Sequence, residues 1–344
     1  MIKYILLPFS VIYNVITKFR NHLYNIGIKK SIKFDIPIIC VGNLTVGGTG
    51  KTPHVSFITQ IINQQLQKNP AILSRGYGRK SKGFFLAEEK VKSETIGDES
   101  LQLYLSFNKK IPVAVCEERI LGIPALIAEH QNLDCILLDD AFQHRKVNPG
   151  FNILLSDYNR PFYNDYLLPS GRLREARSGA NRADAVIVTK VPENISHNDI
   201  SKIETKISQY TNAPVFFSFF EYLKPQLFHG TKKDSLKDII LVTGIANTTY
   251  LLNYTQKHFN VVKHLEYKDH NQYGESSMKE IFDTYQQNIN ENLVILCTEK
   301  DMVKLKEKLP NNNQIPFYYL PIIVRILKDQ TKFKNLISDF VLNF

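Results

Sequence analysis

Short apolar runs separated by longer amphipathic stretches organise this chain. Residues 38–41, 71–74, 112–115, 135–140, 152–157, 185–190 and 214–220 are compact and hydrophobic, as strands buried on both faces are. Helix-like segments such as 55–62 lie between them. This β-then-α alternation predicts an α/β fold built on a doubly wound, mostly parallel sheet covered by helices. A second set of runs, 239–243, 261–266, 293–298 and 317–324, follows the Lys224-Pro225 stretch and predicts a second, smaller α/β domain. The expected division is therefore residues 1–30, 31–225 and 226–344. Residues 159–179, rich in Pro, Gly and Arg, predict a long loop over the active face. No internal repeat or low-complexity tract interrupts the pattern.

The first segment has a different pattern. From Pro8, a favourable first residue for a helix, Phe9, Ile12, Ile16, Phe19 and Leu23 recur at alternating threes and fours, with Ser10, Asn14, Thr17, Lys18 and Asn21 between them. Six Lys or Arg and no acid fall between Met1 and Lys33, the first acid being Asp35. The result is an N-terminal amphipathic helix with one apolar stripe and a basic flank. Its longest uncharged run, residues 4–17, is 14 residues long. A bilayer span needs roughly 20 residues, and no small-residue cleavage site follows, so neither a span nor a secretory signal is expected. Two readings stay open: the helix lies on an anionic membrane surface, or it packs its stripe on the protein's own core.

Composition narrows the classes. At 344 residues with 43% hydrophobic and 22% charged residues, the chain can bury more than one core, and disordered or collagen-like architectures are excluded. Lys and Arg number 43 against 33 Asp and Glu, a net charge of +10 that favours an anionic partner. Cys40, Cys135 and Cys297 sit inside apolar runs and Cys116 just after one, with no C-x-x-C spacing. They read as buried thiols in a reducing compartment, with neither a disulfide frame nor a zinc site.

The chemistry concentrates at Thr45, Val46, Gly47, Gly48, Thr49, Gly50, Lys51 and Thr52, a glycine-rich turn between the strand at 38–41 and the helix at 55–62. Successive backbone N–H groups in such a turn cradle phosphates, the helix N-terminus adds positive potential, the lysine reaches the outer phosphates and the following hydroxyl suits Mg²⁺. Thr45 stands where the strict G-x-x-x-x-G-K-[ST] pattern has glycine, but Gly47 and Gly48 keep the backbone bare. The fold is thus expected to be of the P-loop type. Residues 136–140 form an apolar strand ending in Asp139 and Asp140. In phosphate-loop proteins such a strand neighbours the loop, and Asp139, which ends the run, is the expected metal partner.

Two other acids carry alternatives. Asp98, in Gly97-Asp98-Glu99, is either a first-turn helix acid or a general base; Asp269-His270 is either a polar turn or an acid–imidazole pair reaching the first domain's cleft. Arg75, Tyr77 and Arg79 follow the second predicted strand, and Arg172, Arg174 and Glu175 lie in the long loop, where guanidinium groups suit phosphate oxygens.

Read together, these motifs resemble the tetraacyldisaccharide 4′-kinase family, which phosphorylates the lipid A precursor of Gram-negative bacteria. The resemblance runs in order along nearly the whole chain. It takes in the N-terminal helix, VGNLTVGGTGKTP (41–53), SRGYGR (74–79), GDE (97–99), LLDDAFQHR (137–145), LLPSGRLRE (167–175), TGIAN (243–247), KDH (268–270) and TEKDMVKL (298–305). It implies a P-loop kinase-like fold with ATP on the 45–52 loop, Mg²⁺ near Asp139, where the loop reading adds the Thr52 hydroxyl, and Asp98 as base with His270 assisting it from the smaller domain. Arg75, Tyr77, Asp140, His144, Arg174 and Glu175 fall in the matched motifs as weaker substrate or phosphate contacts. Departures are Ala141 where the family usually has glycine, and Ser100 and Lys268 where it usually has proline. Its implied setting is the cytoplasm, peripherally on the cytoplasmic face of the inner membrane, with an acylated disaccharide lipid and an anionic membrane surface as partners. No nucleic-acid partner is expected, since aromatic and basic residues are not interleaved on one surface, and no obligate protein partner is inferred. The alternative is a membrane-associated switch ATPase of the partition type, whose pattern carries a lysine before the two glycines where this chain has Val46.

Overall fold

The computed structural model describes residues 5–344, so residues 1–4 of the expected N-terminal segment lie outside the described residues. Ten α-helices are described: α1 (Leu7–Asn25), α2 (Lys51–Gln60), α3 (Ser93–Ile96), α4 (Asp98–Ser106), α5 (Arg119–Glu129), α6 (His197–Ile207), α7 (Thr249–His258), α8 (Glu275–Gln287), α9 (Glu299–Lys306) and α10 (Gln330–Leu342). The strands are β1 (Ile38–Asn43), β2 (Pro70–Ser74), β3 (Phe85–Leu86), β4 (Val113–Val115), β5 (Cys135–Asp139), β6 (Phe151–Asp157), β7 (Ala185–Thr189), β8 (Val215–Tyr222), β9 (Gln226–His229), β10 (Asp238–Thr243), β11 (Asn260–Glu266), β12 (Leu293–Thr298), β13 (Phe317–Leu320) and β14 (Ile322–Ile326).

A large sheet runs in the order β14-β8-β7-β6-β1-β5-β2-β4-β3, parallel except at its two edges. Its central strands are buried at every position because both faces are covered, and they are apolar up to the polar residues at their carboxyl ends, Asn43 and Asp139. Alternate residues serve opposite cores. Ile39, Val41, Leu137, Ile153 and Ile187 pack with Val55 and Ile58 of α2 on one face. Ile38, Cys40, Ile136, Leu138, Leu154 and Val186 pack with Ile123 and Leu126 of α5 on the other. Burying a Val, Leu or Ile side chain contributes about 1.5–3 kcal/mol, so these two layers set the register of the sheet. The phosphate loop follows β1, which lies beside β5 with Val41 opposite Asp139. That register places the loop next to the strand-end acids, at the carboxyl ends of the parallel strands where open α/β sheets bind ligands.

The smaller sheet has the order β11-β10-β12-β13-β9, parallel except for β9. Ile240, Val242, Ile295 and Cys297 join the same apolar cluster as Ile39 and Val41, so one core is continuous between the lobes. The chain then departs from the simple two-part order. The run 317–324 is divided at Pro321: β13 belongs to the small sheet, whereas β14 pairs antiparallel with β8 and covers the exposed edge of the large one. Helix α10 follows β14 back, with Phe333 packed on Phe57 and Phe216, and Phe340 on Phe151. A single apolar run contains no signal for a change of sheet.

Candidate functional site

The phosphate loop is held in shape by its neighbours. Val46 N–H donates to the Arg172 carbonyl at 2.8 Å and Arg174 N–H to the Leu44 carbonyl at 2.7 Å, zipping the long loop onto it. Asn43 Nδ2 donates to Thr49 Oγ1 at 2.8 Å, Thr189 Oγ1 to the Thr49 carbonyl at 2.9 Å, and the Lys190 ammonium to the Gly48 carbonyl. Gly50 has φ +87°, and a Cβ there would sit 2.7 Å from Phe220 Cζ, so the turn into α2 needs glycine twice over. His54 lies 2.7 Å by Nδ1 from the Gly50 carbonyl and 2.9 Å by Nε2 from Ser218 Oγ. A carbonyl only accepts, so Nδ1 carries the proton and Nε2 accepts from the hydroxyl. Burial lowers the His54 pKa to about 4, which keeps the ring neutral and this pair of bonds intact at neutral pH.

Lys51 and the strand-end acids converge beside this loop. Lys51 Nζ lies 3.5 Å from Asp140 Oδ2, and Arg174 grips the same carboxylate with two bonds of 2.8 and 3.1 Å. Burial would raise the Asp140 carboxyl, but the Lys51 and Arg174 charges outweigh it and hold it below its ordinary value. Asp140 has φ +50°, an uncommon backbone state for a residue other than glycine. Asp139 differs. It is 1% exposed, and its Oδ1 has no hydrogen-bond partner among the described residues. Burial, followed by the charges of Glu99 and Asp140, pushes its carboxyl up to about 7, against the opposing pull of Lys51 and Arg119. A buried carboxylate with an unpartnered oxygen next to a phosphate cradle suits a cation, and the buried Thr52 hydroxyl stands at the start of α2. The donor set of Thr52 and Asp139 fits Mg²⁺, which takes one or two protein oxygens and fills its other positions with phosphate and water.

The second cluster joins the lobes. Asp98 begins α4, but Gly97 occupies the capping position and no side-chain cap bond forms there. The Asp98 carboxylate turns instead to His270, whose Nδ1 lies 3.5 Å from its Oδ2, and to Lys304 Nζ at 3.6 Å. Lys300 Nζ lies 3.3 Å from His270 Nε2, and an ammonium only donates, so Nδ1 carries the proton toward Asp98. His270 has φ +62°, and its ring leans on Tyr77 at 5.2 Å between centroids. Burial would raise the Asp98 carboxyl, yet the His270 hydrogen bond and the Lys304 charge leave it below its ordinary value. A carboxylate so held stays ionised at neutral pH and can accept a proton. Glu99, adjacent in sequence, acts on Asp139, so the two clusters border one another.

The remaining expected contacts fall into different surroundings. Arg75 and Tyr77 are exposed on the loop after β2. His144 is half-buried with Nε2 unpartnered among the described residues, and burial and Arg119 lower its pKa to about 4. Glu175 is buried and occupied by Arg182 at 2.8 Å, Asn21 Nδ2 at 2.7 Å and Gln143 Nε2 at 3.0 Å, so it ties the long loop to α1. Sequence reasoning missed several supports: His54, Lys190, buried Arg119, which donates to the Asp139 carbonyl at 3.0 Å, and the Lys300/Lys304 pair. The signal for the last was present, because two lysines four apart in a helical segment share a face. Lys190 follows β7 at the ligand-bearing end of the sheet.

Helix α1 is turned the opposite way from a core-packed helix. Its polar side docks on the protein: Ser10 Oγ donates to Ser170 Oγ at 2.8 Å, Tyr13 OH to the Arg174 carbonyl at 2.8 Å and Arg20 Nη2 to the Gln143 carbonyl at 3.0 Å. The apolar stripe faces outward, Ile12 being 59% and Ile16 60% exposed, with Leu23 alone of the expected positions half-buried. Among the described residues no helix is long and apolar enough to cross a membrane.

Comparison with known proteins bears on the family and the fold. Residues 2–342 match the family model described as tetraacyldisaccharide-1-P 4′-kinase. A tetraacyldisaccharide 4′-kinase of Cytophaga hutchinsonii is 41% identical, with 99% of this chain and 97% of the relative covered. One of Flavobacterium psychrophilum is also 41% identical, covering 98% and 96%. Among solved structures, LpxK of Aquifex aeolicus in complex with ATP superposes with a TM-score of 0.78 at 29% identity, covering 99% of this chain and all of that one.

Proposed function

The chain belongs to the tetraacyldisaccharide 4′-kinase family, and from that premise we propose that it transfers the γ-phosphoryl group of ATP to the 4′-hydroxyl of a tetraacylated disaccharide-1-phosphate lipid in lipid A biosynthesis. The observation that carries the reading is the meeting of Lys51, Asp139 and Asp140 at the phosphate loop with a second, lobe-bridging carboxylate, Asp98, bordering them. Phosphoryl transfer asks for positioning and charge more than for covalent chemistry. The loop amides and Lys51 hold the outer phosphates, and Arg174 restrains Asp140 beside them. Thr52 and Asp139 would hold Mg²⁺, which when bound neutralises phosphate charge. Asp98 orients and deprotonates the sugar hydroxyl, with His270 steadying it from the smaller lobe. Closure of the smaller lobe would exclude water and protect ATP from hydrolysis. The partition-type ATPase is not retained, because the family match spans residues 2–342.

The reading is tested by incubating the protein with γ-labelled ATP and a tetraacyldisaccharide-1-phosphate lipid. Label should pass to the lipid with little release as free phosphate. Hydrolysis of ATP without lipid labelling would count against it.

The outward stripe of α1 supports docking on the cytoplasmic leaflet, which would bring the site to an acylated substrate. Ile12→Asp with Ile16→Asp is expected to weaken sedimentation with anionic liposomes while shifting Tm by no more than about 2–4 °C, since exposed positions carry little folding energy. Unchanged liposome binding, or a large fall in Tm, would remove the membrane role. Deleting residues 1–24 is the poorer experiment, because it also severs the Ser10, Tyr13 and Asn21 hydrogen bonds to the long loop.

A further inference from the structure

Lys304 lies in α9, the helix of the smaller lobe that packs on α4. Its side chain is 1% exposed, and its ammonium makes no hydrogen bond among the described residues. A buried ammonium needs opposite charge close by, and Lys304 Nζ finds it on both sides: Asp98 Oδ2 at 3.6 Å and Asp301 Oδ1 at 3.8 Å. The Tyr273 ring lies beneath at 5.6 Å. Asp301 is itself immobilised, its Oδ2 accepting from the Gly244 N–H at 3.0 Å and from Thr298 Oγ1 at 2.7 Å. The order of anchorage therefore runs from the β10 and β12 ends, through Asp301, to Lys304 and then to Asp98.

We infer that Lys304 is a positioning residue for the phosphoryl transfer: anchored by Asp301, its ammonium holds the Asp98 carboxylate ionised and aimed, so that docking of the smaller lobe readies the base. The inference rests on the proposed role of Asp98. It separates Lys304 from its neighbour Lys300, which faces outward to Glu99 at 3.5 Å, Asp269 at 3.1 Å and His270. The charged or titratable groups around Asp98 are then Glu99 on its own helix, His270 and Asp269 on the following lobe's loop, and Lys300, Lys304 and Asp301 on α9, with the Tyr273 hydroxyl behind. Among the described residues, the basic groups within 4 Å of its carboxylate are His270 and Lys304.

The test compares Lys304→Met with Asp301→Asn/Lys304→Met, which removes both buried charges of α9 and so guards against simple unfolding. In Lys304→Met, kcat should fall about tenfold or more with KM for ATP little changed. The acidic limb of the kcat/KM profile should move up by about one pH unit, because loss of a nearby cation makes a carboxylate easier to protonate. The double variant should keep a wild-type Tm and still show the lowered kcat and shifted limb. The inference is overturned by a folded Lys304→Met with unchanged kcat and limb. Full recovery in the double variant also overturns it, since that makes Lys304 only a counter-ion to Asp301, and failure of the double variant to fold overturns it by making the buried pair a requirement of the fold. Asp98→Asn run alongside separates the two levels: near-normal turnover there removes the base assignment itself, whereas an inactive Asp98→Asn with a normal Lys304→Met removes only the present inference.

Discussion

Lys51→Ala is expected to lower lipid phosphorylation by about 10²–10³-fold, the scale for losing one preorganised charge that meets developing negative charge in the transition state. The lysine stands in the first turn of α2 with its side chain 13% exposed, and among the described residues its ion-pair partner is Asp140. When ATP enters, the β- and γ-phosphates compete with that carboxylate for the ammonium, and Asp140 keeps its two bonds to Arg174. Stability should therefore change little, because Arg174 continues to compensate Asp140 after the substitution. The paired measurement is turnover with γ-labelled ATP and a thermal melt of the same preparation. Turnover close to wild type would rule out the loop at 45–52 as the ATP site, and a collapse in Tm would make Lys51 a structural residue instead.

Asp98→Asn and His270→Ala should each lower kcat by about 10²–10³-fold, within the range general-base catalysis supplies, and the double variant should be little worse than either. Non-additivity is expected because the imidazole acts through the carboxylate: its Nδ1–H points at Asp98 Oδ2 across 3.5 Å, and with Asp98 gone it has nothing to orient. KM for ATP should be little affected, since among the described residues the polar contacts of both side chains are to each other and to Lys300, Lys304 and Asp269 rather than to the phosphate loop. Independent losses that multiply in the double variant would show two separate roles. A change confined to KM for the lipid would assign the pair to substrate binding.

The phosphate loop and the strand ending in Asp139 and Asp140 were legible because local sequence specifies them. A glycine-rich turn ending in Gly-Lys-Thr between an apolar run and a helix is a contiguous pattern, and a both-faces-buried strand reads as an unbroken hydrophobic run. The pairing of β1 with β5 is not local, yet it follows once both motifs are recognised. The division of 317–324 between two sheets was not legible. β13 and β14 have the same apolar character, and only the free edge of β8 explains why the second half leaves the small sheet. The weaker site residues separated in the same way: Arg174 reached Asp140, whereas Glu175, its sequence neighbour, was drawn inward by Arg182, Asn21 and Gln143.

The N-terminal helix marks the boundary between the two kinds of information. Its amphipathic spacing is a property of sequence, since 3.6 residues per turn puts Phe9, Ile12, Ile16 and Phe19 on one side whatever surrounds them. Which side faces the protein is not, because apolar and hydrogen-bonding surfaces can both be docked. The long loop decided it by presenting the Leu167 and Arg174 carbonyls and the Ser170 hydroxyl to Ser10 and Tyr13. Asp98 and His270 follow the same rule at greater range. Each residue type and its place in an element were set by sequence, but their approach across 172 positions was set by the packing of α9 on α4 and by the buried Lys304 and Asp301 beneath them. Local spacing determines which groups a segment can offer. Contacts between distant segments have no periodicity to read, and only the folded packing decides which offered groups meet.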